Sequence, residues 1–121
     1  MMTREALVLA LEGMIEKPVT VRLHTNTPDG DVSGLSQLTE AKNYEPVILQ
    51  RDQWKIDREG LFAEGPRTTM RFSGKAGHVT GYHVEVRGRV LMHDQFPSPI
   101  PINTKEDVIH VIPVLYTEAA A

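Results

Sequence analysis

Apolar and polar side chains alternate on both sides of the sequence Arg87-Gly88-Arg89. The alternation covers residues 81–86 before this sequence and residues 90–93 after it. Two alternating runs that are joined by a short glycine-containing turn predict a β-hairpin. The β-branched run at residues 108–115 predicts a further strand of the same sheet, with Pro113 at an edge or a bulge because proline has no amide donor.

A helical pattern covers residues 3–16, where apolar side chains such as Leu7 and Leu11 recur at helical spacing. Thr3 is the expected N-cap, and Pro18 ends the pattern. The preferred interpretation is a helix that packs on its own sheet. The alternative is that Leu7 and Leu11 dock on a neighbouring subunit, because the helix is terminal.

The remaining patterns are short and β-like, and Gly, Pro and Asp residues separate them. Strands are expected at residues 18–24, 46–49, 53–56, 67–72 and 78–86, and a short helical segment at 35–42. Together with the C-terminal strands, seven or eight short strands are predicted between residues 18 and 116. The expected fold is therefore mainly β, an antiparallel β-sandwich or barrel with one N-terminal α-helix, in a single domain of residues 1–121.

Composition narrows the functional classes. The chain has 121 residues, a formal net charge of −3 and no cysteine. A nucleic-acid partner is not expected without a basic surplus, and cysteine-based metal sites, disulfides and nucleophiles are excluded. Neither a signal peptide nor a membrane span is predicted, since no long apolar run occurs.

The segment from Asp29 to Glu40 matches the spacing of a calcium-binding EF-hand loop, with Asp31, Ser33 and Gly34 at the intermediate positions. A strand rather than a helix precedes it, however, and Asp, Gly and Ser are also ordinary turn residues. We therefore predict a turn that binds no calcium.

No other constellation predicts catalysis or a cofactor. A three-residue loop at Arg87-Gly88-Arg89 would place His83 opposite His93, within reach of a shared metal ion, whereas another register would place them on opposite faces. The remaining histidines have no ligand spacing, and Ser73-Gly74-Lys75 lacks the first glycine of a phosphate-binding loop. The chain is expected to be no enzyme and to hold no metal or cofactor.

Several short phrases resemble, in order, those of a group of small virion proteins of tailed bacteriophages. These phrases are Leu23-His24-Thr25-Asn26, Thr27-Pro28-Asp29, Thr39-Glu40-Ala41, Trp54, Gly81-Tyr82, Phe96-Pro97 and Pro113. The likeness covers nearly the whole chain, and Met92 stands where the group has an aromatic residue. The resemblance implies a structural role in the virion, with assembly in the cytoplasm of a bacterial host. That role is either head decoration or that of a tail or baseplate component, and we take head decoration as the preferred interpretation. A receptor- or carbohydrate-binding module, which shares the sandwich architecture, is the alternative outside this resemblance.

Such a role requires contacts with major capsid or tail proteins and favours a homo-oligomer. Two segments are suited to such contacts. One is the amphipathic helix with Leu7 and Leu11. The other is an extended proline-rich segment whose fixed backbone loses little entropy on docking. Its candidate interface residues are Phe96, Pro97, Pro99, Ile100 and Pro101.

Overall fold

A computed structural model describes residues 2–26 and 37–117. It contains one α-helix, a short 3-10 helix at Arg51–Gln53 and nine strands in antiparallel sheets, which confirms the predicted mainly β fold with an N-terminal helix. The helix is α1 (Arg4–Ile15), and the strands are β1 (Val19–His24), β2 (Val47–Leu49), β3 (Lys55–Asp57), β4 (Phe62–Glu64), β5 (Thr68–Arg71), β6 (Gly77–Val86), β7 (Arg89–Ile102), β8 (Val108–Val111) and β9 (Val114–Tyr116).

Helix α1 begins where the sequence predicts. The side chain of Thr3 accepts a hydrogen bond from the backbone N–H of Ala6 at 3.1 Å, which caps the first turn. Leu11 and Ile15 are fully buried against the sheet. This face of α1 therefore packs within the chain, in agreement with the preferred interpretation, whereas a contact of α1 with a neighbouring subunit stays a prediction.

The main sheet has the strand order β2-β1-β6-β7, and every neighbouring pair is antiparallel. Val19, Val21 and Leu23 point from β1 into the core, as the alternation predicts. Residues 38–42 do not continue a helix, because Glu40 forms a β-bridge with His24. Residues 35 and 36 of that predicted helical segment lie outside the described part of the chain.

The hairpin of β6 and β7 is as predicted, but its turn is shorter than the three-residue loop considered above. Val86 pairs with Arg89, and both Arg87 (φ 53°) and Gly88 (φ 78°) have positive φ, which two-residue turns of type I′ require. A one-residue bulge at Leu91 then shifts the register.

The C-terminal run does not join the main sheet, contrary to the prediction. Pro113 divides it into β8, which pairs with β5, and β9, which pairs with β4. These pairs belong to a two-stranded sheet and to the three-stranded sheet β3-β4-β9. Proline cannot donate to a ladder, so a break at this position is physically expected.

One hydrophobic cluster joins all the layers. The apolar face of the main sheet packs against α1 and against the two small sheets, in a sandwich-like arrangement rather than a closed barrel. The fully buried side chains of the hydrophobic cluster include Leu23, Met70, Val84, Ile102 and Leu115. The opposite face of the main sheet is therefore the one that carries polar side chains.

Candidate functional site

The polar face of the main sheet carries a cluster of imidazoles. Arg22 and His24 point to this face from β1 because they alternate with the core residues Val21 and Leu23. The register places Arg22 opposite His83 of β6, and His83 opposite His93 of β7. We call His24, His83, His93 and Gln95 the histidine cluster.

Two of these imidazoles are buried and in contact. His24 is 0% exposed and His83 is 4% exposed, and their Nδ1 atoms lie 3.1 Å apart. In a neutral pair one Nδ1 carries a proton and donates it to the other. Burial, the proximity of His83 and that of His93 lower the pKa of His24 from 6.5 to about 4, and burial lowers the pKa of His83.

Gly81 makes this arrangement possible. A Cβ atom on Gly81 would lie 2.7 Å from Nε2 of His24, so only glycine lets the ring pass over β6. Beyond Gly81, Nε2 of His24 lies 3.0 Å from the side-chain nitrogen of Gln95 on β7. The ring of His24 thus connects β1 to β7 across the intervening strand.

A charged network borders the cluster. Nε of Arg22 donates to Glu85 at 2.5 Å, and Nη1 of Arg22 lies 3.4 Å from Glu40. Tyr44 donates to Glu40, and its hydroxyl also accepts from the backbone N–H of Leu23 at 2.7 Å. Burial and the adjacent Glu40 carboxylate raise the pKa of Tyr44, so this phenol stays neutral. The two carboxylates are therefore already engaged by Arg22 and Tyr44.

The cluster is not arranged as a metal centre. Within residues 2–26 and 37–117, no group of three or more His, Asp or Glu side chains is placed to hold a metal ion. Of the two hairpin registers that the sequence left open, the structure has the one that pairs His83 with His93, and Nδ1 of His93 is 3.5 Å from the side-chain nitrogen of Gln95. The chemistry that the geometry supports is proton binding and hydrogen bonding between neutral side chains.

The calcium prediction concerns residues that are mostly outside the described part of the chain. Asp29, Asp31, Ser33 and Gly34 all lie there. Glu40, which would close the loop, contacts Arg22 and Tyr44.

A second candidate site lies beside the edge strand β7. Tyr82, Met92, Phe96, Ile112 and Tyr116 help to line a groove of about 390 Å³, which we call the β7 groove. Tyr82 and Phe96 stack with ring centroids 6.4 Å apart. The apolar side chains Ile112 and Tyr116 remain 52% and 53% exposed. The larger open groove of about 580 Å³ near Asn43 and Arg71 has no comparable exposed apolar pair.

The proline-rich segment forms the second half of β7 rather than a separate arm. Pro97 and Pro99 lie in a bulge opposite Thr80, between the pairs Gly81–Gln95 and Val79–Ile100. The prolines of this segment are exposed, including Pro101. Proline is tolerated at such an edge because no ladder donor is lost.

The predicted interface residues thus have different environments. Phe96 and Ile100 are half-buried and pack against the protein's own core, and Leu7 is half-buried on α1. The hydrophobic pattern did not identify Ile112 and Tyr116 as interface residues. The interruption at Pro113 was the available signal, because it separates β8 from β9 and leaves exposed apolar side chains on either side.

Within the described ranges no helix has both the length and the apolar character that crossing a membrane requires. Searches against protein families, curated proteins and solved structures found no significant match to this chain.

Proposed function

We propose that this chain is a non-enzymatic structural protein of a tailed-phage particle, and that it decorates the head. The observation that carries the proposal is the exposed apolar pair Ile112 and Tyr116 in the β7 groove, next to an edge strand. The resemblance of the ordered sequence phrases to small phage virion proteins supplies the biological context.

Exposed apolar and aromatic side chains in a concave surface favour a protein partner. Aromatic residues are enriched at the centres of protein interfaces, and a contiguous apolar patch gains free energy when a partner covers it. In the main sheet β7 has a neighbouring strand on one side only. A strand with one open edge can add main-chain hydrogen bonds to such a contact.

The proline-rich segment limits where those hydrogen bonds form. Pro97, Pro99 and Pro101 supply no amide donors, so strand addition is favoured along residues 89–95. The capsid or tail partner then contacts the first half of β7 and the β7 groove together.

A carbohydrate-binding role is the second candidate. The exposed ring of Tyr116 and the half-buried ring of Phe96 line the β7 groove, and Asp94 and His110 also line it. Aromatic faces bind the apolar faces of sugar rings, while carboxylate and imidazole groups bind hydroxyls. The same variants test both roles with different ligands.

The decisive variant is Ile112→Asp. A carboxylate at this exposed position should abolish attachment to capsids or tails of the phage that encodes the chain, because its desolvation opposes docking. Cosedimentation with purified capsids and, separately, purified tails measures attachment. The free energy of unfolding, measured by thermal denaturation, should change by less than about 1 kcal/mol, since the side chain is outside the core.

Ile48→Asp is the matched control. Ile48 is 57% exposed on β2, at the opposite edge of the main sheet. Attachment of this variant should equal that of the unmodified chain. If the unmodified chain cosediments with neither particle but binds oligosaccharides on a glycan array, the carbohydrate role replaces the structural one. Equal cosedimentation of both variants contradicts the β7 groove as the contact surface.

A further inference from the structure

The histidine cluster joins three strands through side chains alone. His24 of β1 contacts His83 of β6 at 3.1 Å and Gln95 of β7 at 3.0 Å. Gln95 is the last paired residue of β7 before the bulge at residues 96–99. The side chain of His24 is thus a link between β1 and the point where the β6–β7 ladder is interrupted.

When both histidines are neutral, His24 can form hydrogen bonds with both Gln95 and His83, in either of two arrangements. When the Gln95 amide nitrogen donates to Nε2 of His24, Nδ1–H of His24 donates to Nδ1 of His83. When Gln95 is turned so that its oxygen accepts, Nε2–H of His24 donates and the direction of the His24–His83 bond reverses. Both arrangements keep the hydrogen bonds that His24 makes with Gln95 and with His83.

A first added proton leaves only one of these two arrangements, and a second breaks the His24–His83 hydrogen bond. A first proton places a positive charge on an imidazole that is excluded from water, and it leaves only the arrangement with the Gln95 oxygen turned inward. A second proton leaves two N–H groups facing each other at 3.1 Å, with no acceptor and two like charges.

The surrounding charges do not compensate for these protons. Arg22 of β1 and His93 of β7 oppose a charge on His83, whereas Glu40 of the bridging segment and Glu85 of β6 favour it. Glu40 and Glu85 are already bound to Arg22, and Glu40 also to Tyr44. Burial is the largest influence on both imidazoles, and it lowers the pKa of each.

We propose that the histidine cluster is a proton-operated switch that holds β7 against the sheet at neutral pH and releases it in acid. Release begins at Gln95 and spreads to the bulge and to Phe96, which lines the β7 groove. The sheet β3-β4-β9 lies outside this link and stays folded while β7 opens. The switch does not depend on the identity of any partner of the chain.

The sign of the pH effect follows from linkage. The folded cluster binds protons less readily than the opened one, so the closed state is favoured above pH 6.5. That advantage is lost as the pH falls from 6.5 to about 4, and further acidification removes no more of it. With these limits, the ratio of closed to open β7 falls on the order of 10-fold between pH 7 and pH 5.

Amide hydrogen exchange on the full chain tests the switch. After correction for the intrinsic pH dependence of exchange, protection of residues 89–102 should fall about 10-fold from pH 7 to pH 5. Protection of β4 and β9 should change much less. His24→Gln, which retains hydrogen bonding but does not titrate, should make the pH dependence in β7 clearly smaller, and the buried His83 accounts for the part that remains. His78→Gln, at an exposed position on β6, should retain it.

A measurement on the unmodified chain decides the matter even if His24→Gln does not fold. In an NMR titration His24 should change its protonation near pH 4, and the side-chain amide of Gln95 should shift at the same pH. Titration of His24 above pH 6, or pH-independent protection of β7, overturns the proposal. Protection that rises with Zn²⁺ in a His24-dependent way also overturns it, because the cluster would then be a metal site.

Discussion

The two faces of the main sheet are made by the same strands but are buried for different reasons. On one face, Val21 and Leu23 are covered by α1 and the small sheets, and their burial is a direct result of hydrophobic alternation. On the other face, His24 and His83 are equally excluded from water although they alternate as polar residues. Alternation therefore identifies which side chains share a face, but not whether that face is exposed.

The largest expected effect comes from the apolar face. Leu23→Ala should lower the free energy of unfolding by about 3 kcal/mol, because it removes buried methyl groups and leaves a cavity. Urea denaturation followed by circular dichroism measures the change. Ile48→Ala is the control, and at 57% exposure it should cost less than about 0.5 kcal/mol. Equal losses for the two variants would mean that the burial of Leu23 adds nothing to stability.

The next effect comes from the polar face. Gly81→Ala should lower the free energy of unfolding by about 2 kcal/mol, since the added methyl group overlaps the His24 ring and the backbone of Asp94. Thermal denaturation is a sufficient measurement.

Gly13→Ala is the matched control for this substitution. No atom would lie within 4 Å of a Cβ at Gly13, which is in the last turn of α1. Alanine is the better helix former, so this variant should gain about 0.5–1 kcal/mol. A neutral Gly81→Ala variant would show that His24 does not need the space above β6.

The smallest effect concerns the charges that border the histidine cluster. Glu85→Gln should lower the free energy of unfolding by about 0.5–1 kcal/mol, because it weakens the bond from the partly exposed Arg22. The loss should shrink between 0.05 and about 1 M NaCl, as screening predicts. Glu64→Gln, at an exposed position on β4, should change stability by less than about 0.5 kcal/mol. A larger loss from Glu64→Gln would contradict the conclusion that Glu85 stabilises the protein through its ion pair with Arg22.

Local signals were sufficient for the helix, for the alternation of β1 and for the hairpin of β6 and β7. Thr3 and Pro18 bound α1 correctly, and the alternation in β1 and the hairpin of β6 and β7 agree with the structure. The separation of residues 108–115 into β8 and β9 was not predictable from local pattern. It depends on pairing with β5 and β4, which lie about 40 to 50 residues earlier in the chain.

The candidate sites show the same limit. The pairing of His83 with His93 was a sequence hypothesis, but the approach of His24 from β1 depends on Gly81 lacking a side chain. Nothing in the spacing of the histidines encodes that approach. Likewise, Ile112 and Tyr116 are part of the β7 groove only because β8 and β9 lie beside β7.

The bulge at Leu91 has a consequence for errors at the tip of the hairpin. The observed hairpin has a two-residue turn and a bulge. A three-residue turn without a bulge would give the same pairing from Val84 and Met92 onwards. A change between these two turns therefore alters the pairing of residues 85–91 only. The hairpin tolerates conformational heterogeneity at its end without any change in which side chains meet further along the ladder.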